Sequence, residues 1–99
     1  MLHTINTSPF TSSSLDACLR TAAPGSSLLF IEDGVYAVLQ GTAVSARVQE
    51  AMKHMSVHVL GPDLAARGVQ GKLMAGVNVV DYGGFVDLAA AAPRVQAWL

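Results

Sequence analysis

The stretch SSLLFIEDG, from Ser26 to Gly34, is a continuous run of apolar side chains that ends in two acids and a glycine. Two later stretches repeat this arrangement, SVHVLGPD at 56–63 and GVNVVDYGG at 76–84. Apolar runs without polar alternation are typical of strands that are covered on both faces, as in parallel sheets. The segments between the runs are long enough for a parallel crossover, which requires about ten to twelve residues. The three stretches therefore predict three strands of a parallel sheet.

Helical patterns lie between these strands, and a further short strand is predicted at Leu2–Asn6. Four residues ahead of the first long strand recur with the spacing of one helix face: Leu15, Cys18, Leu19 and Ala22. Pro24 and Gly25 end this helix. The other helices are predicted at 35–40, at 44–54, at 63–68 and from about Phe85 through the alanine-rich stretch, with an interruption at Pro93.

The alternation of strands and helices predicts one small α/β domain over residues 1–99, with a mostly parallel sheet and helices on both faces. A chain of 99 residues suits one domain and is too short for two. Hydrophobic residues make up 52% of the chain and charged residues 13%, which leaves few ions to solvate the surface. Part of the apolar surface is therefore expected to contact a partner.

Composition also excludes several classes of partner and location. The net charge is −1 and no basic run is present, so no direct contact with nucleic acid is expected. The single cysteine cannot form an intrachain disulfide, which fits a reducing compartment. The start, MLHTINTSPF, lacks the pattern of a secretory signal, and no apolar run approaches the length of a membrane span. We expect a cytoplasmic protein without membrane contact.

Acids follow the three long predicted strands, and right-handed crossovers place the carboxyl ends of these strands at one edge of the sheet. The acids are Glu32, Asp33, Asp63 and Asp81. Carboxylates at such an edge can hold Mg²⁺, which would make the chain a metal-binding or receiver-like domain. A receiver-like domain also needs a lysine at this edge, and neither Lys53 nor Lys72 follows a predicted strand. Because Asp-Gly and Pro-Asp are ordinary turn dipeptides, a role in turns is favoured over metal binding.

The sequence contains none of the common catalytic or cofactor motifs. Its glycines never form GxGxxG or GxxxxGK[ST], and no GxSxG marks a serine hydrolase. His3, His54 and His58 are far apart in sequence. Each is interpreted as a structural histidine, because no cysteine and histidine spacing supports a metal site. We therefore expect no metal or organic cofactor.

Cys18 is the only cysteine and the one candidate nucleophile. It lies on the apolar stripe of the first predicted helix, where burial would raise the pKa of its thiol above the usual value of about 8.5. A position about one turn into the helix and the nearby Arg20 favour a thiolate, but the field of the helix dipole fades within the first turn. Residue chemistry alone therefore favours a structural role for Cys18 over a reactive one.

Five segments spread over the chain resemble the TusB/DsrH family of sulfur-relay proteins: MLHTINTSPF, LLFIEDGVYAVLQG, VLGPDLAARG, VVDYGGFVDL and the ending VQAWL. The likeness is closer to the DsrH branch than to TusB. The likeness to the DsrH branch rests on Cys18, on YGGFVDL at 82–88 and on the final Leu99 after Ala97 and Trp98. The resemblance implies the parallel α/β fold that DsrE, DsrF and DsrH chains share.

The same resemblance implies a function within a complex. The chain would be a subunit of a heterohexamer with DsrE-like and DsrF-like chains, acting in cytoplasmic sulfur oxidation. In that family the main persulfide-carrying cysteine belongs to the DsrE or TusD subunit, and sulfur passes to DsrC or TusE. This chain would then be an accessory subunit of a sulfurtransferase complex, with Cys18 as a candidate secondary sulfur acceptor. The alternative is a TusB-like subunit of the relay for 2-thiolation of the tRNA wobble uridine.

The chain ends in Trp98 and Leu99, a large apolar pair for so small a domain. Aromatic residues are common anchors of protein interfaces, which predicts that both residues contact a partner subunit. The alternative is that the end folds back over its own domain. The sequence leaves the two interpretations equally open for Trp98.

Overall fold

Five short strands form one parallel sheet in the computed structural model, which describes residues 1–99. The strands are β1 (Leu2–Ile5), β2 (Ser27–Phe30), β3 (Ser56–Leu60), β4 (Asn78–Val80) and β5 (Val95–Trp98). Their spatial order is β4-β3-β2-β1-β5, and every neighbouring pair is parallel. The predicted parallel α/β class is confirmed.

Four α-helices and two 3-10 helices connect the strands. They are α1 (Ser14–Thr21), α2 (Ser45–Ala51), α3 (Gly61–Ala66) and α4 (Tyr82–Ala91), with 3-10 helices at Glu32–Val38 and Gln70–Lys72. The segment predicted as a helix at 35–40 is thus a tighter 3-10 helix that begins earlier, and its glycine and β-branched residues disfavour a regular α-helix. None of the helices has both the length and the apolar content needed to cross a lipid bilayer.

The face of the sheet that packs against α1, α2 and α3 carries the main hydrophobic core. Alternate strand residues point to this face: Ile5, Leu28, Phe30, Val57 and Val59. The helices add Leu15 and Cys18 from α1, Val48 from α2 and Leu64 from α3. Full burial of one large aliphatic side chain contributes about 1.5–3 kcal/mol. Most of the apolar stabilisation of the domain therefore comes from this side of the sheet.

The opposite face of the sheet is covered by α4 alone. Leu2, Leu29 and Leu60 point to this face and are buried outside the main core cluster. The helix approaches closely where Gly84 meets Val80, because a Cβ atom on Gly84 would lie 2.9 Å from the Val80 Cβ atom. No residue of β4, α4 or β5 is itself buried. This layer of the domain is thin.

The C-terminal residues form a strand that the sequence analysis did not predict. The last helix stops ahead of Pro93, as the sequence indicates, and β5 follows it along the free edge of β1. Trp98 lies opposite Ile5, and the Leu2 N–H donates to the Arg94 carbonyl at 2.9 Å. The four residues of β5 carry no pattern that separates them from a loop, so only pairing with β1 makes them a strand.

The helix α4 also begins before its predicted start near Phe85. The Asp81 carboxylate accepts a hydrogen bond from the Gly84 N–H at 2.8 Å and caps the first turn. Two consecutive glycines normally indicate a loop. Here the cap and the close packing on the sheet hold them in the helix.

Candidate functional site

Cys18 lies in the middle of α1 with its side chain in the main core. It is fully buried, and burial raises the pKa of its thiol to about 11. The residue is beyond the first turn of α1, where the field of the helix dipole has faded. The groove between α1 and α2, of about 580 Å³, is not lined by Cys18. In this structure the thiol is protonated at neutral pH and closed to an external sulfur donor.

Three of the predicted acids meet at the carboxyl edge of β2 and β3. Asp63 accepts a hydrogen bond from the backbone N–H of Glu32 at 2.6 Å. Glu32 has a φ of +50°, which only a few non-glycine residues adopt, so the Asp63 contact holds an unusual backbone turn. Asp33 accepts from the Arg67 guanidinium at 3.0 and 2.9 Å. These contacts join the start of the 3-10 helix to α3 and support the role in turns.

Asp81, the fourth acid of this edge, is occupied as the N-cap of α4. No group of three or more histidine, cysteine, aspartate or glutamate side chains is placed to hold a metal ion. Lys53 pairs with Glu50 on the surface, and Lys72 ends the second 3-10 helix. The edge is thus built from structural contacts.

His3 and Trp98 form a partly buried contact between β1 and β5. The indole Nε1–H of Trp98 donates to Nδ1 of His3 at 3.1 Å, which leaves the imidazole proton on Nε2. Nε2 is buried without a hydrogen-bond partner. Burial lowers the pKa of His3, with a smaller effect from the positive N-terminus. His3 is therefore a neutral structural side chain.

Trp98 is half-buried against the main core, which is the self-packing interpretation of this residue. Leu99, in contrast, is 85% exposed, while its backbone oxygen accepts a hydrogen bond from Ser14 Oγ at 3.0 Å. The two predicted interface residues are thus neighbours with different surroundings. Contact of either one with a partner subunit stays a prediction.

The helix α4 carries exposed apolar residues that the sequence analysis did not single out. Tyr82 is 61% exposed and Val86 is 65% exposed, one turn apart on the same side. A surface helix normally turns charged and polar residues to solvent. In the helix sequence YGGFVDLAAA only Asp87 is charged, and this lack of a polar face is the signal from which the surface could have been predicted.

The fold and these surroundings define a class: a small, parallel α/β domain with one core cysteine and an apolar helix open to solvent. A family model described as "DsrH like protein" matches residues 7–95. Protein TusB of Erwinia tasmaniensis is 40% identical over 98 residues, which cover 99% of this chain and 100% of that protein. Protein TusB of Pectobacterium parmentieri and that of Escherichia coli K12 are 36% and 35% identical, with the same coverage. The chain belongs to the TusB/DsrH family of sulfur-relay proteins.

A solved structure supports the fold independently. The ychN protein from Escherichia coli superimposes with a TM-score of 0.81 over 97% of both chains, at 18% sequence identity. At this identity the likeness concerns the architecture alone. The family assignment rests on the sequence relatives, and their shared name favours the TusB interpretation over the DsrH branch to which the chain was expected to be closer.

Proposed function

We propose that this chain is a TusB-type subunit of the cytoplasmic sulfur relay that leads to 2-thiolation of the tRNA wobble uridine. The observation that carries this proposal is the full-length likeness to proteins named TusB, at 35 and 40% identity. The absence of a basic run in the sequence supports action through protein partners, without contact with the RNA.

Within the relay we assign the chain an accessory role. Sulfur transfer requires an accessible thiolate that attacks the outer sulfur of a persulfide. With a pKa of about 11 for Cys18, about one thiol in ten thousand is ionised at pH 7. This supports a relay in which a DsrE- or TusD-like subunit holds the working cysteine and passes sulfur to a DsrC- or TusE-like acceptor. Acceptance of sulfur by Cys18 requires that assembly first open the core around α1.

The assembly that we propose is a heterohexamer with DsrE-like and DsrF-like, or corresponding Tus, subunits. Several large apolar side chains are at least half exposed in the single chain, among them Tyr82, Val86 and Leu99. Apolar residues left open on a small domain support contact with partner chains. The relay chemistry itself requires no metal or organic cofactor.

The test is complementation of an Escherichia coli strain that lacks its own TusB. We expect this chain, produced with the other subunits, to restore 2-thiouridine at the wobble position, measured by mass spectrometry of digested tRNA. Cys18→Ala should restore it equally if the working cysteine lies on a partner. Failure of a well-produced parent chain to restore thiolation would contradict the proposal.

A second candidate is the DsrH-type role in sulfur oxidation. The family model described as "DsrH like protein" favours it, and so does the presence of Cys18, one of the residues on which the resemblance to the DsrH branch rests. Removal of the chain from its own organism separates the two candidates. Loss of sulfur oxidation with normal tRNA thiolation would favour the DsrH role. Loss of tRNA thiolation with normal sulfur oxidation would favour the TusB role.

A further inference from the structure

The helix α4 is incomplete as a surface element of a free-standing domain. Its inner side rests on the sheet through half-buried residues, among them Phe85 and Leu88, and none of its ten residues is buried. Its outer face, defined here as Tyr82, Val86 and Ala90 with Gly83 and Asp87 beside them, is exposed throughout. A helix of this length draws its stability from packing of its apolar side chains. Here much of that apolar surface is open to solvent.

The shape of this outer face suits close contact with another backbone. Gly83 and Ala90 leave little side-chain bulk at either end of the stripe, while Tyr82 and Val86 project from it. Small residues beside large ones let a second helix or strand approach and receive the larger side chains between its own. An aromatic ring at the edge of such a patch is a typical interface anchor.

The charge of the outer face indicates which kind of chain covers it. Asp87 is the only charged residue of α4, and it takes part in none of the ion pairs of the domain. A second copy docked through the same face about a two-fold axis would bring another α4 without any cation, and its own Asp87, against this carboxylate. Like charges brought together at an interface oppose association. A lysine or arginine on a different chain would pair with Asp87.

We propose that the outer face of α4 docks on a partner subunit of different sequence, which presents apolar side chains around a lysine or arginine opposite Asp87. This inference rests on the proposed function, because it names the surface through which the chain joins the relay. It also explains why the apolar C-terminal part of the chain contributes no buried residue.

The experiment measures binding of the purified full chain to the cysteine-bearing partner subunits by titration calorimetry. The partner subunits are co-produced with each other and purified, and the full chain is titrated into them. We expect Val86→Asp to weaken binding at least about tenfold, because it places a carboxylate in the apolar contact. Asp87→Asn should weaken binding several-fold and flatten its salt dependence. Ala46→Asp, on the exposed side of α2, is the matched control and should bind as the parent chain does. Circular dichroism melting of each free variant should match the parent, since the changed side chains are exposed.

The results separate failure of the docking surface from failure of the proposed relay function. Parent-like binding by both α4 variants, or equal weakening by Ala46→Asp, would overturn the docking surface while the relay function stands. If the isolated chain forms a homodimer that Val86→Asp dissociates, the outer face of α4 binds a second copy. This result would also overturn the proposed docking on a different subunit. If the parent chain binds no relay subunit and restores no tRNA thiolation, the proposed function fails, and the docking proposal with it.

Discussion

Single residues in this domain owe their chemistry to the place where the chain puts them. Cys18 and His3 are both groups that react or titrate readily in water, and both are buried in the folded chain. Burial disfavours the charged form of each, so the pKa of the thiol rises and that of the imidazole falls. The same cause therefore keeps both side chains neutral.

Cys18 should react slowly in the free native chain. We expect iodoacetamide to modify it far more slowly than a free cysteine at pH 7.5, with a rate that still rises above pH 10, because the pKa is about 11. Mass spectrometry follows the reaction, and the chain unfolded in urea is the control that should react fully. Rapid modification of the folded free chain near neutral pH would contradict this expectation.

The buried His3 and the half-buried His58 should make stability fall in mild acid. Burial lowers the pKa values of His3 and His58 in the folded chain. The unfolded chain therefore binds protons first, and the free energy of unfolding decreases as pH falls below about 6.5.

Urea denaturation at pH 7.5 and pH 5.5 measures this dependence. His58→Gln should reduce the difference between the two pH values, because it removes one titrating group. His54→Gln, at an exposed position, is the matched control and should keep the difference of the parent chain. An unchanged difference in His58→Gln would count against the prediction.

Among the elements, the 3-10 helix after β2 depends on one close backbone contact. A Cβ atom on Gly34 would lie 2.1 Å from the carbonyl oxygen of Ile5. No residue with a side chain fits at this distance unless the backbone moves. This helix also receives the Asp63 and Arg67 contacts from α3. The junction of β1, β2 and α3 is thus closed by a glycine.

Gly34→Ala should lower the free energy of unfolding by about 2–3 kcal/mol, because the added methyl overpacks against rigid backbone. Gly71→Ala is the matched control, since a Cβ atom there meets nothing within 4 Å. Chemical denaturation of both variants checks the prediction. Equal free energies of unfolding for the two variants would contradict the prediction, because the backbone around Gly34 would then accommodate the methyl group without a loss of stability.

On the scale of the whole molecule, the two sides of the sheet differ in how well they are held. On one side, the sheet, three α-helices and a 3-10 helix together enclose a core cluster of fifteen buried residues. On the other side, α4 covers the sheet without a buried residue of its own. Local opening costs least where few apolar contacts are lost. The C-terminal elements are therefore the least protected part of the domain.

Hydrogen exchange followed by mass spectrometry should show this difference. We expect amides of β4 and α4 to exchange faster than those of β2 and β3 in the free chain. Binding of the partner subunits should slow exchange in α4, while peptides from α2 keep their rates. Uniform protection in the free chain would contradict the asymmetry.

The sequence by itself determined the class of the fold and the family. Apolar runs such as Ser26–Gly34 and the stripe that includes Cys18 predict buried strands and a core helix, because burial leaves a periodic trace in the local sequence. The position of the acids at the carboxyl edge was also predicted correctly. The reason is that parallel strands share one direction, so residues that follow them lie at the same edge of the sheet.

Only the tertiary structure decided which distant groups meet. β5 pairs with β1. Trp98 donates a hydrogen bond to His3, 95 residues away in sequence, and Asp63 accepts one from the Glu32 N–H. The tertiary structure also left the outer face of α4 uncovered. No local pattern encodes such pairings, because each depends on how remote segments are brought together once the main core has formed.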